Sequence, residues 1–436
     1  MPKRHILIPH SLESLFARLE ELVLANSGED EFEEVFKLLV AKLWDEKKGN
    51  HEFGSGETPQ QKNDHLNRLL AEAAVGWPGI LTDTRTRLTP QHVATCLDVL
   101  RPLRVLDAGL EALDGSFEFL IARSSKGAKG QYFTPRHVVD FCVLMLEPRV
   151  GERIVDPACG SGAFLLHTLN WLLETGQLGP QEVRRYAEDN LWGFDFDGRV
   201  VRIAKAMMLI AGDGSANIFR LNSLLKPSMS LFNLDAGGSE DQVLLTIEDV
   251  CRTRLRRRQG FDVLLTNPPF AGEIREREVL QSYRLSRGRK RTERDVLFLE
   301  RCVELLRPGG RMAIVLPHNK FAAREYGETR NWIRRHLRIA AVVGLGRNTF
   351  LPHTHQKANI LFAEKRLRAG IPDEPEPIFF AVSEEDGKDG QGNPVLRDGA
   401  ENGETMPTWH SVVHDLDAIL SQFRAFRSQE GVFAGW

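Results

Sequence analysis

At 436 residues with 42% hydrophobic content, the chain exceeds what one core usually organises and fits two or three domains. A formal charge of -3 and a pI near 6.5 exclude an overall basic field, so contact with nucleic acid must come from local patches or a partner subunit. Cys96, Cys142, Cys159, Cys251 and Cys302 form no C-x-x-C pair, which argues against a structural zinc site or a disulfide framework. No run of about 18 apolar residues occurs, and a cytoplasmic protein in a reducing compartment is expected.

Residues 1–125 carry helical periodicity, as in "SLESLFARLEELVLA" and "EFEEVFKLLVAKLWDE", and are expected to form an N-terminal helical domain. The stretch "ARSSKGAKGQ" (122–131) has the small, charged composition of a hinge, which puts a domain boundary there. From 126 to 370 short apolar runs alternate with helices, the sequence form of an open α/β sheet covered on both faces. The predicted strands are "RIVDPA", "LWGFDFD", "NIFRLNS", "FDVLLTN", "RMAIVLP", "IAAVVGLG" and "NILFAEK". The predicted helices are "AFLLHTLNWLLETG", "GRVVRIAKAMMLIAG", "DVLFLERCVELLRPGG" and "REYGETRNWIRRHL", several closing on Gly. The signal weakens past 366, and residues 371–436 are expected to be a C-terminal extension: an exposed loop at "EEDGKDGQGNP" and one closing helix in "HDLDAILSQFRAFRSQE".

Chemistry first shows in "IVDPACGSGAF", a strand ending in Asp156 followed by a Gly-rich turn into a helix. In open α/β sheets the ligand sits beyond the carboxyl ends of the strands, where Gly160 and Gly162 allow close backbone approach. The third glycine of a dinucleotide motif is missing, which weakens an NAD reading. Asp195 and Asp197, in "LWGFDFDGR", fall at the end of the second strand, where a carboxylate accepts hydrogen bonds from ribose hydroxyls, and Asp195 is the preferred one. A Gly-rich connector and a solvated acid are the bland alternatives for these two features.

"FDVLLTNPPF" then delivers Asn267, Pro268, Pro269 and Phe270 to the same edge. An exocyclic amine on a nucleobase is a poor nucleophile because its lone pair is delocalised into the ring. Acceptors on its two hydrogens, the Asn267 side-chain oxygen and the Pro268 carbonyl, help to restore that pair. The prolines fix φ and remove competing donors, and Phe270 offers a stacking face for a base taken out of the duplex. Pro-Pro after a strand can also be a simple terminator. The segment 275–294, "REREVLQSYRLSRGRKRTER", carries eight Arg or Lys residues: a phosphate-holding strip or a solvated mobile loop. His353 and His355 have no third ligand spaced to help them hold a metal, and none is expected.

"GQYFTPRHVVDF", "DPACGSGAFL", "GFDFD", "NPPF" and "LLRPGGRMAIVLP", in that order over roughly 30–365, resemble the adenine-specific DNA methyltransferases that use S-adenosyl-L-methionine, most closely the modification (M) subunits of type I restriction-modification systems. The resemblance implies an S-adenosylmethionine-dependent methyltransferase domain with a Rossmann-like seven-stranded sheet, transferring a methyl group to N6 of adenine in double-stranded DNA. It implies that Gln131, Tyr132, Phe133, Thr134, Pro135 and Arg136 close over the methionine end of the cofactor. It likewise places the turn at Ser161, Gly162 and Ala163 against that end and gives the ribose to Asp195. Many relatives carry an acid where this chain has Asn222, whose oxygen can still accept from the cofactor's adenine amine. Gly198, where a proline often follows the second acid, is a second departure. As partners the resemblance implies a specificity (S) subunit flanked by two copies of this chain, and it leaves a restriction (R) subunit open. Methylation of a protein glutamine or an RNA amino group, and a non-catalytic scaffold in a defence complex, are the competing functions. A cytosine C5 reaction would need a Cys nucleophile after the fourth strand, and none stands near Asn267.

Overall fold

The computed structural model describes residues 18–19, 21, 27–106, 133–212, 217–227, 246–254, 260–397 and 411–433. Most of "SLESLFARLEELVLA", the hinge at 122–131, and Gln131 and Tyr132 lie outside the described residues. The chain divides into two compact units. One holds Met1–Gly127, Arg202–Ser215 and Asp398–Thr408; the other holds Ala128–Val201, Ala216–Arg397 and Trp409–Trp436. Among the described residues, no helix is long and apolar enough to cross a membrane.

The first unit contains α1 (Glu31–Lys48), α2 (Pro59–Gly76) and α3 (Pro90–Leu100). Each starts where a side chain satisfies a free backbone N–H: Asp30 accepts from Glu33, Thr58 from Gln61 and Thr89 from His92. Acids crowd the first turn of α1 and lysines its last, matching the helix dipole, and Gly49 at φ 73° ends it. Gly76 is required by packing, since a Cβ there would stand 2.0 Å from the Trp44 ring.

The second unit is built on an eight-stranded sheet with order β10-β8-β9-β7-β4-β1-β2-β3. The strands are β1 (Ile154–Asp156), β2 (Leu191–Asp195), β3 (Asn217–Arg220), β4 (Phe261–Thr266), β7 (Leu306–Pro317), β8 (Leu337–Gly344), β9 (Ala358–Lys365) and β10 (Phe379–Val382). From β3 to β7 the neighbours run parallel, while β9 is antiparallel to both β7 and β8. Seven strands fall on the seven expected runs. The eighth, β10, pairs parallel with β8 at the edge and lies in the stretch expected to hold only a loop and a helix.

One face of the sheet packs Val155, Trp192, Leu264, Met312 and Leu361 against α8 (Ile247–Arg254), α10 (Arg294–Leu305) and α12 (Gly327–His336). On the other face Phe362 meets Phe141 of α4 (Arg136–Leu146) edge-on at 5.7 Å. The last helix, α13 (Leu416–Glu430), sets Phe423 and Phe426 on Phe379, with centroids 5.6 Å apart in each pair.

The expected Gly stop after "VELLRPGG" is corrected. The helix ends at Leu305, and residues 307–310 bulge out of the β4–β7 pairing, whose register jumps from Phe261↔Leu306 to Val263↔Arg311. Gly310 is needed because a Cβ would stand 2.8 Å from the Phe261 carbonyl oxygen. The segment 271–294 is not a loose loop. It forms a two-stranded antiparallel ribbon, β5 (Glu273–Ile274) with β6 (Thr292–Glu293), around α9 (Arg277–Ser282).

Candidate active site at the carboxyl edge of the sheet

The neighbours of β1 are β2 and β4, so the chain reverses its direction of winding between β1 and β4. A crevice opens at such a switch point, beyond the strands' carboxyl ends. Asp156 ends β1 and Asn267 follows β4, so both predicted centres reach this one place.

After β1, Gly160 and Gly162 adopt φ of 53° and 88°, values that side chains with a Cβ resist, and α5 (Ala163–Glu174) starts at once. No atom lies within 4 Å of where a Gly160 Cβ would stand, so open space adjoins the backbone there. The Gly160 N–H donates to Asp195 Oδ2 at 3.0 Å, and the Asp197 N–H to Asp195 Oδ1 at 3.0 Å. Asp195 is half-buried, and burial holds its carboxyl above the ordinary range. Ser161 is buried and Ala163 opens α5. Cys159, in the same turn, is packing: burial pushes its thiol far up, away from any nucleophilic role.

Asp156 is fully buried. Its Oδ1 accepts from the Ala158 N–H at 3.0 Å and the Thr266 hydroxyl at 2.7 Å, and its Oδ2 has no partner. Burial raises the carboxyl to about 7 against the pull of those two donors. Thr266 is the last residue of β4, so this bond links the glycine turn to the tetrad.

Asn267 donates from Nδ2 to Thr134 Oγ1 at 3.0 Å, while its Oδ1 is buried with no partner. Thr134 stands just before α4, whose first residue is Arg136, with Pro135 between them. Phe133 meets the His353 ring at 6.5 Å. Pro268 is buried and Pro269 half-buried. Phe270 is only 7% exposed, with Phe350 edge-on at 5.5 Å, so the stacking face expected of it is largely covered in this state. Asn222, past β3, accepts the Leu224 N–H on Oδ1 at 3.1 Å and keeps a second lone pair.

Two neighbours were not foreseen. Thr266 is a fully buried hydroxyl that follows the apolar run Val263–Leu265 of β4, a pattern that could have been noticed. Phe196 lies between Asp195 and Asp197 and is 70% exposed.

The open sheet with this glycine turn is the fold of an S-adenosylmethionine-dependent methyltransferase. The N-6 DNA methylase family model matches residues 111–419. The chain belongs to that family. The EcoEI type I restriction enzyme methylase subunit of Escherichia coli is 28% identical over 243 residues, covering 55% of this chain and 44% of that protein. The type II restriction enzyme and methyltransferase RM.BcgI of Heyndrickxia coagulans is 24% identical over 263 residues, covering 59% and 34%. The matched region is thus under half the length of either relative. The type I restriction-modification methyltransferase subunit of Streptococcus thermophilus shares the fold, with a TM-score of 0.58 at 16% identity over 96% of this chain and 94% of that one.

Proposed function

We propose that this chain transfers a methyl group from S-adenosyl-L-methionine to N6 of adenine in double-stranded DNA, as the modification subunit of a type I-like system with a separate specificity subunit. The observation that carries the reading is Asn267. Its amide is held by Thr134, and its Oδ1 is a buried acceptor with nothing to accept from. A buried unpaired acceptor is costly, and a target amine supplies the missing donor. That amine gains electron density at nitrogen as its hydrogens are drawn toward Oδ1 and the Pro268 carbonyl.

When bound, the cofactor supplies an electrophilic methyl on a sulfonium sulfur. The residues present fit it: Gly160 leaves open space beside the backbone, Asp195 offers a ribose acceptor, and Asp156 keeps one free oxygen. The contribution of the chain is then positioning and hydrogen-bond polarisation, with no covalent enzyme intermediate. A net charge of -3 gives the chain no overall positive field, which leaves DNA affinity to local basic patches and a partner.

The test is incubation of the purified chain, alone and with a co-expressed specificity subunit, with labelled cofactor and duplex DNA, RNA or a bacterial protein extract, followed by mass spectrometry of nucleosides and peptides. N6-methyladenine that depends on Asn267 supports the reading. Label appearing in protein glutamine or RNA, with none in DNA, would overturn it.

A further inference from the structure

The excursion between β4 and α10 is a local positive field on a negative chain. Residues 273–294 hold eight Arg or Lys against Glu273, Glu276, Glu278 and Glu293, and within 284–291 there are five cations and no acid. A charge run is often only a solvated loop. This one is folded. The Arg294 N–H donates to the Gly272 carbonyl at 3.1 Å, closing the base of the ribbon just after the tetrad.

The middle of the excursion docks at the end of β3. Leu280 and fully buried Tyr283 pack with Leu224, Leu297 and Phe298. The Tyr283 hydroxyl donates to the Leu224 carbonyl at 2.8 Å, and Lys226 Nζ to the Ser282 carbonyl at 2.9 Å. Glu300, 3% exposed, accepts the N–H groups of Arg284 and Leu285 at 2.7 and 2.8 Å, which anchors the chain as it enters the basic run. Arg284, Arg287, Arg289, Lys290 and Arg291 are all exposed. Arg289 and Arg291 make only surface pairs, with Glu328 and Glu273, which a stronger anion displaces. Among the described residues, Arg284, Arg287 and Lys290 make no ion pair.

We infer that the face from Arg284 to Arg291 grips backbone phosphates of the duplex next to the target base. The excursion starts three residues past Phe270 and rests on Leu224, two residues past Asn222, so its base is anchored both to the tetrad and to the end of β3. Cations held on a packed base lose little conformational freedom on binding, and each phosphate neutralised releases counterions. The contact is sequence-neutral, leaving base readout to another element. This inference deepens the DNA reading above and rests on it.

The test compares the full chain, the variant R287Q/R289Q/K290Q/R291Q and the charge-keeping variant R287K/R289K/R291K. A fluorescently labelled duplex of arbitrary sequence is titrated across about 50 to 200 mM salt, and cofactor affinity is measured by calorimetry. At about 0.9 per phosphate, the Gln variant should lose about 3 to 4 from the slope of log affinity against log salt, with roughly hundredfold weaker binding at the low-salt end. The Lys variant should keep the wild-type slope, and all three should bind cofactor equally. Two results would overturn the inference: a Gln variant with wild-type affinity and slope, or a Lys variant that falls as far as the Gln variant. Failure of the methylation reading is separable. Salt-dependent DNA binding lost in the Gln variant, without any N6-methyladenine from the wild type, keeps the phosphate grip and removes the activity.

Discussion

Thr134 Oγ1 accepts a hydrogen bond from Asn267 Nδ2 at 3.0 Å, although the two residues lie 133 positions apart. The bond ties the segment before α4 to the end of β4. It also orients the amide so that Oδ1, not Nδ2, is left for a target amine.

Thr134→Val should therefore lower the methyl-transfer rate at saturating cofactor by roughly tenfold, the worth of one net hydrogen bond. Thr134→Ser should restore most of the rate. Single-turnover kinetics with calorimetry check this, and a Val variant with wild-type turnover would remove Thr134 from the positioning of Asn267.

Asn267→Ala should cost about 10²–10³ in rate, comparable to deleting one donor or acceptor from a preorganised polar site. Cofactor binding should survive, because the lost group is the polarising acceptor. A near wild-type rate in the Ala variant would sink the assignment.

Asp195→Ala should weaken cofactor binding by about 1 to 3 kcal/mol, through loss of a charged partner to buried hydroxyls. Unchanged affinity in calorimetry would transfer the ribose role to Asp197.

Asp156 gives a pH signature. Burial raises its carboxyl to about 7 in the fold, above its unfolded value. A raised acid favours the fold most at low pH, and that contribution is lost as pH climbs through about 7. Thermal unfolding of the cofactor-free chain, followed from pH 5 to 8, should show a steeper drop in stability than Asp156→Asn, which keeps only the shares of Asp195 and Asp295, both also raised by burial. Parallel profiles for the two proteins would show that Asp156 ionises normally.

The sheet was legible where burial on both faces leaves continuous apolar runs, as in "FDVLLTN" and "NILFAEK". Strand β10 was not. It is four residues long, follows a Pro- and acid-rich stretch, and is apolar throughout, so the alternate exposure of Phe380 and Val382 has no polar–apolar counterpart in the sequence. The glycine turn and the tetrad were legible because positive φ and a rigid Pro-Pro turn demand particular residue types. The Thr134–Asn267 bond and the covering of Phe270 by Phe350 leave no local trace, since each joins segments distant in sequence.

The two units are interleaved along the chain, and this bears on how the protein can be dissected. Residues 202–215 belong with the N-terminal unit. There Arg202 pairs with Glu33 at 2.8 Å and lies over the rings of Phe32 and Phe36, and Lys47 Nζ reaches the Leu209 carbonyl at 2.7 Å. A fragment beginning after Gly127 would keep the back half of α7 (Gly198–Ile210) while discarding the surface that buries it. It would carry a stranded guanidinium and an apolar stripe open to water, and would be prone to self-association. A chain cut after Gly127 should accordingly yield two pieces that co-elute, not a free catalytic domain.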